Sequence, residues 1–221
     1  HIQNAINVPH KELYQEAEIE GLIKSPEDLS AYFGKKGVSN TATIIIYDDG
    51  SSKYNSRVYW VLKYLGAKEV YLLHKDMDEF KAARVPLTRA ATSSKATTFT
   101  PTVDKSVMAS LADVKSGNAI VVDARDAEEY AGTAEKSDGH IAKAIHVNYK
   151  DFLDSKGAFK SKADIEAVAA KHGLSKDKEI IMYCQTSVRA ATSYVALRSI
   201  AGWPNVKVYD GAYNEWVAKG G

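Results

Sequence analysis

Cys184 is the only cysteine in the chain, and it closes the apolar run Glu179-Ile180-Ile181-Met182-Tyr183. A short polar stretch, Gln185-Thr186-Ser187-Val188-Arg189, follows and leads into a helix-forming segment rich in small residues. A thiol at the end of a strand, facing a helix start, sits where a thiolate is easiest to stabilise and to present to a substrate. If the loop from Cys184 to Arg189 curls, its successive backbone N–H groups point at the sulfur and favour an anion at its centre. Thr186 and Ser187 are expected to add hydroxyl donors, and Arg189 a permanent positive charge at the rim. Such a cradle lowers the thiol pKa, holds an extra sulfur atom as a persulfide, and calls for no metal or organic cofactor. The competing reading, a lone cysteine packed in the core, describes most free cysteines.

The elements that must position this loop are legible as alternating apolar strands and amphipathic helices. Strands are predicted at Ile120–Val122, Ala144–Val147, Ile180–Tyr183 and Val206–Tyr209. Helices are predicted at Asp104–Lys115 with Asp104 as N-cap, at Lys162–His172 ending at Gly173, and at Arg189–Ala201 ending at Gly202, with a helical turn at Asp126–Tyr130. This alternation implies an α/β fold with a mostly parallel, buried sheet flanked by helices, and with reactive loops at the C-terminal strand ends.

The pattern occurs twice. His1-Ile2-Gln3-Asn4-Ala5-Ile6-Asn7-Val8 is matched by His140-Ile141-Ala142-Lys143-Ala144-Ile145-His146-Val147, and Thr43-Ile44-Ile45-Ile46-Tyr47 by Glu179-Ile180-Ile181-Met182-Tyr183. Gly66, Glu79 and Phe80 recur in the same order as Gly202, Glu215 and Trp216. Three ordered blocks argue for a duplicated domain. The copies span 1–88 and 99–221, joined by a Ser/Thr/Ala-rich linker at 89–98. The second copy carries a strand segment before His140 that the first lacks. The missing N-terminal strand and helix are expected to have been removed, or to persist as a separate fragment of the same protein. The first copy places Asp48 where the second has Cys184, followed by Asp49-Gly50-Ser51-Ser52-Lys53. A carboxylate cannot form a persulfide, so the first copy is expected to be inactive.

Asp123-Ala124-Arg125, Gly139-His140-Ile141 with Ala144-Ile145, the Cys184 loop, and Tyr209-Asp210-Gly211-Ala212-Tyr213-Asn214-Glu215-Trp216 together resemble the tandem-domain rhodanese family of sulfurtransferases. The resemblance implies two rhodanese-like domains, the first incomplete at its N-terminus and the second catalytic. It implies that Cys184 takes a sulfane sulfur from a small donor (thiosulfate, mercaptopyruvate or polysulfide), holds it on the amides of Gln185, Thr186, Ser187, Val188 and Arg189, and passes it to a thiol or cyanide. Asp123 and Arg125 match a pair expected to brace the loop. One departure is Glu129, which stands where thiosulfate-type members carry a basic residue, and the loop lacks their glycine and basic residues. These leave the donor open.

Two rivals remain. A phosphatase or arsenate reductase on the same fold also starts its anion loop with Cys, but has one more residue before its Arg than the four, Gln185 to Val188, found here. A sulfur-relay module without turnover of small donors is the other. A zinc site from His140, His146 and Cys184 lacks the close paired spacing of zinc motifs. His140 recurs as His1 in the copy without cysteine, which favours a structural role. Tyr59, Trp60 and Tyr64 are spaced for packing. A net charge of +1 gives no field for nucleic acid, and no apolar run is long enough to span a membrane. The expected compartment is a soluble one, cytoplasmic or periplasmic, and a single cysteine does not choose between them.

Overall fold

The computed structural model describes residues 1–135 and 137–220. In the second copy, β3 (Met108–Ala109), β4 (Ile120–Asp123), β5 (Ile145–His146), β6 (Ile180–Tyr183) and β7 (Val206–Tyr209) form one wholly parallel sheet in the order β3-β7-β6-β4-β5. All four residues of β6 are buried. Ile180 and Met182 enter the larger core, while Ile181 and Tyr183 face a smaller cluster with Val121, Ile141, Tyr209 and Tyr213. Covering both faces is why β6 reads as an unbroken apolar run and not as an alternation. The position of β6 near the middle of the sheet puts its end, Cys184, at the C-terminal rim.

Around the sheet lie α4 (Leu111–Lys115), α5 (Ala127–Ala131), α6 (Lys162–Lys171), α7 (Val188–Tyr194) and α8 (Ala212–Ala218). Ser161 caps α6 by accepting the Asp164 N–H, and Gly173 follows it in the left-handed region. The single helix predicted over Asp104–Lys115 is broken. Asp104 caps only a 3-10 turn, Lys105–Val107, after which Met108–Ala109 extends and pairs with Val208–Tyr209. A new helix, α4, starts at Ser110 through a capping box with Asp113. Edge pairing and a strong second cap outcompete one continuous helix. The helix predicted over Arg189–Ala201 is α-helical to Tyr194 and continues as a π-helical segment, Val195–Ile200.

The first copy contributes α1 (Pro26–Lys35), β1 (Ile44–Ile46), α2 (Tyr54–Tyr64), β2 (Val70–Leu72) and α3 (Met77–Ala82). Its two parallel strands pair Ile45 with Tyr71, and both side chains are exposed, at 63% and 52%. Residues 89–98 have no regular secondary structure and lie along α1. There the Thr97 N–H donates to Gly34, where any Cβ would stand 2.6 Å from the Thr97 carbonyl oxygen. Among the described residues no helix is long and apolar enough to cross a membrane.

The two copies share one core. Leu13, Leu29, Phe33, Trp60 and Leu62 of the first copy pack in the same cluster as Val122, Phe152, Ile180, Met182 and Leu197 of the second. Helix α2 lies against α7, with Thr192 Oγ1 donating to the Ser52 carbonyl at 3.1 Å and Tyr59 hydrogen-bonded to Ser199 at 3.0 Å. Within this apolar contact lies a charge pair. Arg57 of α2, fully buried, donates through Nη2 to Asp210 Oδ1 at 2.6 Å and to the Gly21 carbonyl at 2.8 Å. Its guanidinium stands over the Trp60 and Tyr14 rings. Burial works against the Arg57 cation, but the Asp210 carboxylate outweighs it and raises its pKa. Asp210 Oδ2 also accepts the Ile23 N–H at 3.0 Å.

Removing one partner of such a pair strands the other charge away from water. Asp210→Ala is therefore expected to cost about 3–5 kcal/mol of stability in urea unfolding at neutral pH. A loss no larger than that of a surface substitution would show that the interface does not depend on this pair.

Candidate active site

β6 delivers Cys184, and the chain then turns through Ser187, which adopts a left-handed conformation (φ +61°), into α7. The carbonyls and amides of this loop go different ways. The Cys184 carbonyl accepts the Tyr213 N–H at 3.0 Å and the Gln185 carbonyl accepts the Asn214 N–H at 3.4 Å, tying the loop to the first turn of α8. Among the described residues, the N–H groups of Gln185, Thr186, Ser187, Val188, Arg189 and Ala190 have no protein acceptor. Consecutive free amides at a left-handed turn form a nest for an anion.

The first copy gives the control. Asp48 stands at the position of Cys184, and its carboxylate fills its own loop. Oδ1 accepts from the Gly50 and Ser52 amides at 3.0 and 3.4 Å, and Oδ2 accepts from the Asn55 amide at 3.3 Å and the Ser51 hydroxyl at 3.1 Å. The same loop thus binds an anion in one copy and keeps its amides free in the other.

Each residue around Cys184 has a definite place. Gln185 bridges two elements: its Nε2 donates to Asn214 Oδ1 at 2.6 Å, and its Oε1 accepts from Arg125 at 3.4 Å. Thr186 packs against Gly21 of the first copy (φ +97°), where a Cβ would stand 2.8 Å from the Thr186 Cβ, so no larger residue fits. The Ser187 hydroxyl donates to the Tyr209 carbonyl and is not free to serve a substrate, which corrects the expectation from the sequence. Val188 is buried at the start of α7. Cys184 itself is 1% exposed, more enclosed than a thiol presented at a loop start. Its surroundings include residues supplied by loops distant in sequence.

Arg189 differs from expectation too. It is not a free cation at the rim, because Nη2 donates to Glu129 Oε1 at 2.8 Å and Nη1 reaches both Glu129 and, at 3.2 Å, Asp126. Burial works against its charge, yet the Glu129 carboxylate and the nearby Cys184 sulfur outweigh it and raise its pKa. For Glu129, burial alone would raise the carboxyl. The Arg189 guanidinium prevails, aided by the Asp126 amide, and holds it below its ordinary value of 4.5.

Asp123 and Arg125 form a fully buried pair, with Nη2 to Oδ2 at 2.7 Å and Nε to both carboxylate oxygens at 3.0 Å. Arg125 also donates to the Gly139 carbonyl and lies 4.0 Å from the centre of the Tyr213 ring. Asp123 further accepts from the Tyr183 hydroxyl at 2.6 Å, and burial, then Asp123, raises the Tyr183 pKa. This network spans β4, β6, α8 and the loop at Gly139. His140 and His146 lie apart from the thiol, stacked on Tyr130 and hydrogen-bonded to the carbonyls of Tyr130 and Arg125.

Beside the loop opens a cleft of about 620 Å³, lined by Gln185, Tyr213 and Asn214 and by the carboxylates of Glu18, Glu20, Glu129, Glu135 and Asp138. Both copies line it, the first through Glu18, Ile19 and Glu20.

A lone cysteine at the C-terminal end of a parallel strand, followed by a loop of unengaged amides, in a fold whose other copy has a carboxylate at that place, matches the architecture of a two-domain sulfurtransferase. Comparison with known proteins agrees. The rhodanese-like domain model matches residues 1–83 and 108–219. A thiosulfate sulfurtransferase of Pseudomonas aeruginosa is 31% identical over 203 residues, covering 89% of this chain and 74% of that protein. The sulfur carrier protein TtuD of Thermus thermophilus is 29% identical over 210 residues, covering 87% and 74%. Among solved structures, the 3-mercaptopyruvate sulfotransferase SseA of Escherichia coli superposes with a TM-score of 0.86 at 26% identity, over 96% of this chain and 83% of that one. The chain belongs to the rhodanese family and is a rhodanese-type sulfurtransferase.

Sequence reasoning missed Arg57, Gly21, Glu18 and Glu20, all from the first copy, and the pairing of Glu129 with Arg189. One signal was present: Arg57 interrupts the apolar run Val58-Tyr59-Trp60-Val61 at its start.

The Glu129–Arg189 pair makes stability depend on pH. Because the folded Glu129 pKa is depressed, its contribution is fully present above its ordinary 4.5 and is lost as pH falls through the lowered folded value. Wild type is expected to exceed Glu129→Gln in urea-unfolding stability at neutral pH, with the gap closing towards about pH 3. A gap that widens on acidification would refute the assignment.

Proposed function

We propose that Cys184 is the sulfur-carrying nucleophile of this sulfurtransferase. Its thiolate attacks the outer sulfur of a sulfane donor, the donor's S–S or C–S bond breaks, and the leaving group departs with the bonding electrons. The transferred sulfur stays on Cys184 as a persulfide. A thiol or cyanide acceptor then attacks that outer sulfur, and the Cys184 thiolate is released for the next cycle. The protein supplies position and charge stabilisation, and the amides from Gln185 to Ala190 do this without reorganising.

The observation that carries this reading is the contrast between the loops. The Gly50 and Ser52 amides that Asp48 satisfies in the first copy correspond to those of Thr186 and Val188, which have no protein acceptor among the described residues, whereas the counterpart of Asn55, Ala191, donates to the Ser187 carbonyl. A run of unengaged amides beside the thiol suits a small anion, and a persulfide sulfur is one. Asp123 and Arg125 act as positioning residues through Gln185. The short spacing from Cys184 to Arg189 argues against the phosphatase reading.

Cys184→Ala is expected to lower transfer from any small sulfur donor to cyanide by at least about a thousandfold, as loss of a covalent nucleophile does. The far-UV spectrum should be unchanged. Mass spectrometry of the wild type after exposure to donor should find one added sulfur, on the peptide containing Cys184. Added sulfur elsewhere, or transfer that survives the substitution, would overturn the proposal.

A further inference from the structure

A cation within electrostatic reach of the thiol is already engaged. Arg189 lies within electrostatic reach of the Cys184 sulfur on one side and donates with both terminal nitrogens to Glu129 on the other. Its side chain is 17% exposed and that of Glu129 21%, so the pair is largely shielded from water and from salt. Asp126 adds a second carboxylate to the same fork. Glu129 is itself held: its carboxylate accepts the Asp126 N–H at 3.1 Å, so it is fixed at the helix start. Glu129 also faces the cleft beside the loop, in company with Glu18, Glu20, Glu135 and Asp138.

A donor that carries negative charge next to its outer sulfur needs a cationic fork close to Cys184, and Arg189 is within electrostatic reach of that sulfur. Here the fork's donors are taken by a carboxylate of the protein, and the donor would have to displace it. A donor without that charge has nothing to displace, and one bearing an ammonium group is attracted by the cleft.

We propose that Glu129 is a specificity-determining residue that, by occupying Arg189, turns the site against small dianionic donors and towards uncharged or amine-bearing alkyl persulfides. This rests on the reading of Cys184 as the sulfur-carrying nucleophile. The favoured step balances as follows: the Cys184 thiolate attacks the terminal sulfur of R–S–SH, the S–S bond of the donor breaks, R–S⁻ leaves with the electron pair, and Cys184–S–SH forms with the proton kept on the outer sulfur. With thiosulfate the leaving group is the sulfite dianion, which would separate beside the Glu129 carboxylate. Like charges so placed raise the barrier, whereas R–S⁻ of an aminoethyl group carries its own counter-charge.

The test compares thiosulfate with 2-aminoethyl hydropersulfide as donors, cyanide being the acceptor for both, in wild type, Glu129→Gln, Glu129→Asp and Cys184→Ala. Glu129→Gln keeps the side-chain oxygen that accepts the Asp126 amide and removes the charge. It should raise the ratio of kcat/KM for thiosulfate over that for the aminoethyl persulfide by about tenfold, with the gain mainly in the thiosulfate KM. Glu129→Asp, which keeps the charge, should leave thiosulfate the poorer donor. A ratio that stays within threefold of wild type in Glu129→Gln, with Cys184→Ala inactive on both donors, overturns the role of Glu129 and leaves the nucleophile assignment standing. Transfer that survives in Cys184→Ala overturns the nucleophile assignment itself.

Discussion

Among the described residues, the six consecutive N–H groups from Gln185 to Ala190, the last three in the first turn of α7, have no protein acceptor, and the surrounding structure is arranged around them. Backbone donors are obligatory hydrogen-bonding groups, and each one buried without a partner costs about 1–3 kcal/mol. A chain left to itself would relax that loop into a helical turn or a bulge. It is held open from all sides. The carbonyls of Cys184 and Gln185 are drawn away by the amides of α8, the Ser187 hydroxyl by the Tyr209 carbonyl, and Thr186 is pressed by Gly21 from the other copy. Arg57 and Asp210 then fix the two copies to each other beside the loop.

Arg125 and Arg189, on either side of the loop after β6, illustrate how differently a charge can be used. Arg125 is wholly buried and its donors go to Asp123, Ser137, Gly139 and Gln185. It organises the end of the sheet. Arg189 is anchored on one side and free only towards sulfur. A buried pair of this kind is a poor source of stability, because desolvation cancels most of the attraction, but it fixes orientation. The duplicated fold thereby assigns separate tasks. The second copy carries Cys184, and the first supplies Glu18 and Glu20 to the wall of the neighbouring cleft and Gly21 to the packing of Thr186.

What the sequence revealed and what it hid follow from the range of the interactions. Ile180–Tyr183 and Val206–Tyr209 were legible to the residue because buried parallel strands are written as local apolar runs. The repeat exposed Asp48 as the counterpart of Cys184, since alignment needs only order. The helix over Asp104–Lys115 misled because Val107, Met108, Leu111 and Val114 suit a helical face as well as they suit a strand followed by a turn. The Met108–Val208 register is a tertiary choice. The Arg57–Asp210 pair joins residues 153 apart, and the Glu129–Arg189 pair residues 60 apart, distances over which one sequence carries no pairing information. For the same reason the enclosure of Cys184 was invisible: part of what surrounds it belongs to the other copy.

The way Asp48 fills its loop bears on the loop around Cys184 under oxidising conditions. Asp48 demonstrates that this backbone closes comfortably on a group with two anionic oxygens. Cysteine sulfinate has that shape and charge, and it lies two oxidation steps beyond the thiol. Over-oxidised Cys184 would therefore find unengaged amides beside it, and the second copy would come to resemble the first chemically.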